Sequence, residues 1–241
     1  MGIANFESLT VSMQKQAVHG LTFLAGYRWS KCMDESEEAF FDADAYSTPN
    51  PRSDYGPCSF NVTGQFKGSF VWDLPQVKFG PAVVHHILDN WEVNGILMLQ
   101  DGQPFSVLSG VDNSTSGIGM DRADQIGNPS LPKHRSHAQE AREFFNTAAF
   151  RENAPGTYGE TPRDYLSGPG YEDFDFSVVR AFRLPLGRKE SQTLQFRAES
   201  FNLANRVNFA NPTATVSSKA YGTISTADTP RILQFALKYQ F

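Results

Sequence analysis

The last ten residues of the chain, Ile232 to Phe241 (ILQFALKYQF), alternate apolar and polar side chains up to a terminal phenylalanine. Side chains of a strand project to opposite faces at every second residue. Leu233, Phe235, Leu237, Tyr239 and Phe241 therefore share one face, and Gln234, Ala236, Lys238 and Gln240 share the other. One face suits an apolar neighbour and the other suits water. A soluble edge strand carries the same alternation, but it seldom reaches the final residue with an aromatic there, because chain ends fray. A membrane-spanning strand with one face on lipid is the competing reading.

The same period recurs upstream. Leu194, Phe196 and Ala198 alternate with Gln195, Arg197 and Glu199 in Thr193 to Asn202, and Phe174, Phe176, Val178, Phe182 and Leu184 form one face of Asp173 to Leu184, with Arg180 the exception. Trp91, Val93, Leu97 and Leu99 alternate with Glu92, Asn94 and Gln100, and Phe66, Phe70, Trp72 and Leu74 with Lys67, Ser69 and Asp73. Leu21, Phe23, Ala25, Tyr27 and Trp29 alternate with Thr22, Gly26, Arg28 and Ser30, and Leu9, Val11 and Met13 with polar neighbours between Phe6 and Lys15. With the terminal segment this predicts seven strands, each near the roughly 9 to 11 residues that a tilted strand needs to cross a bilayer.

The connections alternate too. They are short after Lys15, long from Lys31 to Ser59, intermediate from Pro75 to Asn90, very long from Gly110 to Glu172, short at Pro185 to Glu190 and long from Leu203 to Pro230. Outer-membrane barrels have short turns on one side and extended loops on the other. Compact soluble domains rarely hold several connections beyond about 15 residues. On this scheme Trp29 falls at an outer strand end and Trp72 and Trp91 at inner ends, where amphipathic rings favour the interface. Seven antiparallel strands cannot close on themselves, since the first and last run the same way. Either the chain is part of a larger barrel, with its sheet open at Phe6 to Lys15, or an eighth strand hides in Gly110 to Glu172.

Mean hydropathy is -0.39, and no apolar run approaches the roughly 18 residues of a membrane helix. That leaves a barrel open, because alternating strands carry a weak hydropathy signal. Net charge is -5, with acidic residues bunched in Asp34 to Asp44, so there is no electrostatic footprint for nucleic acid. The start, MGIANFESLTVSM, lacks the basic and apolar parts of a secretion signal, which fits a cytoplasmic chain or a start farther upstream. Cys32 and Cys58 flank a polar loop; they pair in an oxidising compartment or stay free thiols, and both readings stand at this point.

Five blocks in order carry a family resemblance: Trp91 to Val107 (WEVNGILMLQDGQPFSV), Phe145 to Gly159 (FNTAAF with PGTYG), Gly168 to Phe182 (GPGYEDFDFSVVRAF), Leu194 to Pro212 (LQFRAESFNLANRVNFANP) and Tyr221 to Phe241 (YGTISTADTPRILQFALKYQF). With them, nearly the whole chain resembles the C-terminal barrel region of TonB-dependent receptor-like proteins of the Oar-like type. The resemblance implies a 22-stranded barrel with a plugged lumen, of which residues 1–241 would be about the last third, without the plug domain, the TonB-contacting segment, the first barrel strands or a signal peptide. It also implies that Leu237, Tyr239 and Phe241 form the signal read by the barrel-assembly machinery, although Ala236 stands where that signal often has glycine. At FNVTGQF the family often shows an acidic residue followed by Arg, His and Arg; here Asn61, Thr63, Gly64 and Gln65 stand there, with Thr63 and Gln65 facing the lumen.

Sites of chemistry are few. Adjacent His85 and His86 point apart on a strand and about 100° apart on a helix, which suits shared metal ligation poorly. They fall in Pro81 to Asn90, which reads as a short amphipathic helix with Val84, Ile87 and Leu88 packing on the barrel rim. His134, His137 and Glu140 have helical spacing but no apolar face to hold them, and the acidic run Asp34 to Asp44 lacks the glycine and ligand spacing of a calcium loop. No nucleophile elbow, phosphate loop or Cys-x-x-Cys motif occurs. Asp173 with Asp175, and Arg197 with Glu199, read as lumen-lining polar residues.

The sequence thus predicts an all-β antiparallel transmembrane barrel segment with long extracellular loops, no enzymatic activity, no metal and no cofactor. Its expected partners are outer-membrane lipid, the barrel-assembly machinery and, through the absent N-terminal region alone, TonB; nucleic acid is not among them. Ligand contact is expected on the loops Lys31 to Ser59 and Gly110 to Tyr171, where Tyr46, Tyr55, Tyr158 and Tyr165 are the candidates, since recognition concentrates on loops held by a rigid scaffold. Two rivals remain: a non-transporting surface or adhesion barrel, and a secreted β-sandwich binding module whose aromatic faces are buried between sheets.

Overall fold

The computed structural model describes residues 3–35, 51–78, 80–117, 121–184 and 192–241. Seven long strands form one antiparallel sheet in chain order: β1 (Ala4–Val18), β2 (Leu21–Asp34), β3 (Gly64–Asp73), β4 (Trp91–Gln100), β5 (Tyr171–Leu184), β6 (Gln192–Phe201) and β7 (Ile232–Gln240). The pair Gly56–Pro57 adds to the far end of β2. β1 and β7 are the sheet's two edges, so the sheet is not closed. The eighth strand considered for Gly110 to Glu172 does not exist among the described residues. That stretch holds only two-residue pieces, Asp124–Gln125 with Phe150–Arg151 and Leu166–Ser167 with Pro104–Phe105.

Register carries the alternation across the sheet. Directly opposed residues of an antiparallel pair share a face, and the pairings Val11↔Tyr27, Tyr27↔Phe66 and Phe66↔Leu99 keep apolar residues together. So do Val93↔Val178, Phe182↔Leu194 and Phe196↔Leu237 farther along. Slipping one strand by a residue would turn its apolar set to the other face. The opposite face carries Thr10, Arg28, Gln65, Lys67, Asn94, Asp175, Arg197 and Gln234 in the same registers. Gln65 Nε2 donates to Gln100 Oε1 across it at 2.9 Å.

The apolar face is bare. Phe235, Leu237 and Tyr239 are exposed, as are Leu9, Val11, Met13 and Tyr27. Among the described residues no second sheet packs on them, as a β-sandwich would require. Gly95, in the middle of this face, is buried by its neighbours: a Cβ there would meet the Phe70 ring and, at 3.1 Å, the Phe174 ring.

The two ends of the sheet differ as expected. At the turn end, β1 and β2 join through His19 and Gly20, whose φ values of 53° and 78° are the left-handed pair that a tight hairpin requires. Helix α1 (Ala82–Leu88) lies between β3 and β4 at the same end, with Trp72 and Trp91 close by, while Trp29 lies toward the other end. The link expected at Pro185 to Glu190 falls outside the described residues. At the loop end lie the described parts of the connections between β2 and β3, between β4 and β5, and between β6 and β7.

The expected packing of α1 is corrected. Val84 is half-buried, but Ile87 and Leu88, expected to pack on the rim, are exposed together with Val83 (56 %, 49 % and 64 %). The helix is seated by its C-terminal carbonyls instead. Ile87 O accepts from Trp91 Nε1 at 2.9 Å and from Arg180 Nη1 at 2.6 Å, and both donors stand on the apolar face. Arg180, a charged residue on that face, stacks on the Trp91 and Phe182 rings at 5.1 and 4.5 Å, an arrangement that hides a guanidinium behind aromatic faces.

Candidate functional site

The long loops form a packed platform. Phe105, Val107, Ala123, Phe145, Ala149 and Phe150 are its buried core, flanked by Phe144, Tyr165, Leu166, Ala214, Val216 and Tyr221. Phe145 is the centre, with ring contacts at 5.7 Å to Phe105, 5.8 Å to Phe150 and 5.4 Å to Tyr221. The short alternation in PFSVLS puts Phe105 and Val107 into this core. Buried Ser106 hydroxyl donates to Asp164 Oδ1 at 3.0 Å.

Backbone hydrogen bonds lace the two longest loops together, because buried amides and carbonyls need partners. Leu108 N donates to Ala214 O, Val216 N to Leu108 O, Phe144 N to Gly222 O and Ile224 N to Ala141 O. Helix α2 (His137–Arg142) starts with a capping box between Ser136 and Gln139. In the loop that opens at Asp112, burial pushes that carboxyl up. The N–H groups of Gly117 and Ser116 and the Ser114 hydroxyl outweigh this and hold it below the ordinary carboxylate value.

Buried charge clamps the third loop onto this body. Arg122 donates to Asp54 Oδ1 at 2.7 Å and to Ser53 O at 3.2 Å, and both partners of the pair are nearly sealed, with side chains 2 % and 1 % exposed. Arg163 pairs with Asp34 and donates to Asp54 O at 2.9 Å. The Cys32–Cys58 disulfide, with Cα atoms 5.4 Å apart, closes the same segment onto β2.

Two cavities flank the platform's base. One, of about 470 Å³, opens on the polar face of the sheet, where Tyr171, Asp173 and Asp175 of β5 meet Asp228, Asn202 and Asn208. The other, of about 680 Å³, lies on the apolar face, between Tyr27, Phe66 and Leu99 of the sheet and the overhanging His137, Glu140 and Phe209. Arg206 pairs with Glu172 at its edge at 3.0 Å.

The tyrosines singled out from the sequence are scattered. Tyr46 lies outside the described residues. Tyr55 is exposed and Tyr158 half-buried. Tyr165 packs against the platform core, donates to Gln125 Oε1 at 2.7 Å, and is pushed up to about 12 by burial. Burial raises Tyr221 further, with the Tyr165 phenol adding to it. The described three line neither cavity; Tyr27 and Tyr171 do instead. Tyr27 lies mid-strand in β2 and Tyr171 at the start of β5, both inside alternating segments that the sequence marks only as strand.

Leu237 and Tyr239 stand on the apolar face of β7, and the Phe241 ring lies 5.9 Å from that of Tyr239. His85 Nδ1 meets Asp89 Oδ2 at 3.1 Å, and Asp89 is held below its ordinary value chiefly by the Val77 N–H, 2.8 Å away. His137 packs its ring edgewise on Phe209 at 5.9 Å. Most of Asp34 to Asp44 lies outside the described residues; Asp34 itself is spent on Arg163. Among the described residues no three His, Cys, Asp or Glu side chains are grouped to hold a metal.

Asp54, Arg122 and Arg163 had no signal in the sequence, since single charged residues in long loops read as solvated. A family model described as an outer membrane beta barrel domain matches residues 1–234. No curated protein and no solved structure matches the chain.

Proposed function

Since the chain belongs to the family of outer membrane beta barrel domains and is therefore a protein of the bacterial outer membrane, we propose that it is the C-terminal part of the barrel of a TonB-dependent receptor, which binds a ligand on its outer loops and imports it. The apolar face then meets lipid, the polar face lines the lumen, and the loop end is extracellular. TonB acts through a region that precedes these residues, and Leu237, Tyr239 and Phe241 address the strand to the barrel-assembly machinery.

The observation that carries this reading is the platform itself. Loops that merely cap a barrel need no buried core, whereas recognition needs groups held in place by a rigid scaffold. Phe145, the Asp54–Arg122 pair and the disulfide supply that rigidity. The lumen-side cavity lined by Tyr171, Asp173, Asp175 and Asp228 gives the platform a polar face toward the barrel interior.

The test is uptake. Strains carrying the full-length protein, with and without a working TonB, are grown in a defined mixture of candidate nutrients, and the medium is followed by mass spectrometry. Depletion of a compound that requires both the receptor and TonB is expected. Equal depletion in both strains, with surface attachment lost when the platform is deleted, would instead indicate an adhesion barrel.

A further inference from the structure

The larger of the two cavities is on the wrong side of the wall for import. Its floor is one register row of the lipid-facing surface, Tyr27↔Phe66, Phe66↔Leu99 and Leu99↔Glu172. This row lies at the extracellular ends of β3, β4 and β5, which begin or end at Gly64, Gln100 and Tyr171. Material entering from the floor side comes from the outer leaflet, not from the lumen. We propose that this groove seats an outer-leaflet lipid with a hydroxyl-rich, sugar-type headgroup.

The chemistry is divided accordingly. Tyr27 and Leu99 are 50 % and 38 % exposed and continue the apolar belt directly into the groove, so an acyl chain lying along them stays within the membrane interface. The roof is polar. His137 and Glu140 project from α2, and Asp101 follows β4.

Charge selects the headgroup. Asp101, Glu140 and Glu172 bring three carboxylates to the rim, and the Arg206 guanidinium is engaged by Glu172. A bare phosphate would meet this rim at a cost, since like charges at close range repel. Sugar hydroxyls are donors, and ionised carboxylates are acceptors that take several such bonds.

The walls are shaped for close approach. Gly102, Gly168 and Gly170 line the cavity and let its wall segments lie against one another. A Cβ at Gly102 would meet the Gly168 and Pro169 backbone, one at Gly168 the Asn211 side chain and one at Gly170 the Gln100 carbonyl. A Cβ at Gly64 would meet the Tyr27 hydroxyl at 2.9 Å and Asp101 Oδ2 at 2.8 Å. A volume of about 680 Å³ falls within the roughly 300–1,000 Å³ of small-molecule sites. The site lies amid β2 to β5, away from both open edges, so it is complete whatever strands finish the barrel.

The experiment uses the full-length protein in an amine-oxide detergent, which brings no sugar of its own. A monoglycosyl diacylglycerol and a phosphatidylglycerol with the same acyl chains are titrated against it, with binding read by native mass spectrometry. The glycolipid is expected to bind at least about tenfold more tightly, equivalent to about 1.4 kcal/mol. Glu140→Ala and Leu99→Trp are each expected to remove most of that preference while the barrel keeps its heat-modifiable mobility. Glu140 is on an exposed helix and Leu99 on the lipid face, so neither change threatens folding. Equal binding of the two lipids, preference for phosphatidylglycerol, binding of neither, or binding untouched by both variants would overturn the assignment.

Discussion

Removing the Asp54 carboxylate tests whether buried charge, and not the aromatic core alone, locks the platform. In Asp54→Ala, Arg122 stays where it is, 2 % exposed, with its Nη1 deprived of an acceptor that had been 2.7 Å away. Breaking one partner out of a buried pair costs about 3–5 kcal/mol, because the surviving charge has no compensation. The control is Asp124→Ala. Its partner Arg151 is 65 % exposed at 3.7 Å, a geometry worth at most about 1 kcal/mol. Hydrogen exchange followed by mass spectrometry on the full-length protein reads the difference. Segments 105–117, 121–125 and 145–165 should lose roughly a hundred- to several-thousand-fold of protection in Asp54→Ala, while β3 to β6 stay unchanged. Replacing the pair together, Asp54→Leu with Arg122→Met, should restore most of the protection, since an apolar pair of similar volume replaces buried ions at little cost. Protection in Asp54→Ala equal to that in the Asp124 control would refute the reasoning.

Four further outcomes follow from the same geometry. Gly95→Leu forces a side chain into the Phe70 and Phe174 rings; overpacking of about 1–3 kcal/mol should lower the temperature at which the barrel band shifts on a gel. Replacing Cys32 and Cys58 by serine frees a segment whose cross-linked residues are 26 apart, a loss of about 3 kcal/mol, and should speed proteolysis at residues 51–58 without unfolding the strands. Tyr165 has a folded pKa raised to about 12 from 10.0, so its contribution to stability is complete below pH 10 and lost as pH rises through 12; phenolate absorbance for this residue should appear only as the platform opens. Asp89 has the opposite sign, lowered from 3.8, so its hold on α1 is present above pH 3.8 and lost as pH falls through the lower folded value. Asp89→Asn should make the Val77 amide exchange at neutral pH as it does in acid.

The strands were legible because period two is written locally. Each alternating run needs only its own residues, and the runs at Trp91 and Phe174 met their partners in the register that their apolar faces demand. The platform was illegible for the opposite reason. Arg122 and Asp54 are 68 residues apart in sequence and Arg163 and Asp34 are 129 apart, and nothing near any of them announces a partner. Helix α1 is the instructive case between. Its amphipathic pattern was readable, but an apolar stripe says only that water is unwelcome, not whether protein or lipid replaces it. Val83 and Ile87 turn out to face away from the protein, beside Trp91 at the membrane boundary, where exposed apolar residues of a short helix have lipid within reach.

Closure can be argued from topology. β1 and β7 run in the same direction, because each step across the sheet reverses the chain and six steps separate them. They cannot pair antiparallel with one another, nor can the β1 of one copy pair antiparallel with the β7 of a second copy oriented the same way in the membrane. Yet along the part of those two edges that crosses the bilayer, an unsatisfied backbone group costs several kcal/mol. An edge as long as Ala4–Val18 cannot be left in lipid at that cost. An odd number of additional strands is the smallest change that pairs both edges and keeps the total even, as bacterial outer-membrane barrels require. On the proposed reading the bare edges are seams of a larger barrel, and the apolar belt that ends at Leu9 on one side and Leu237 on the other would continue onto the strands that fill the gap.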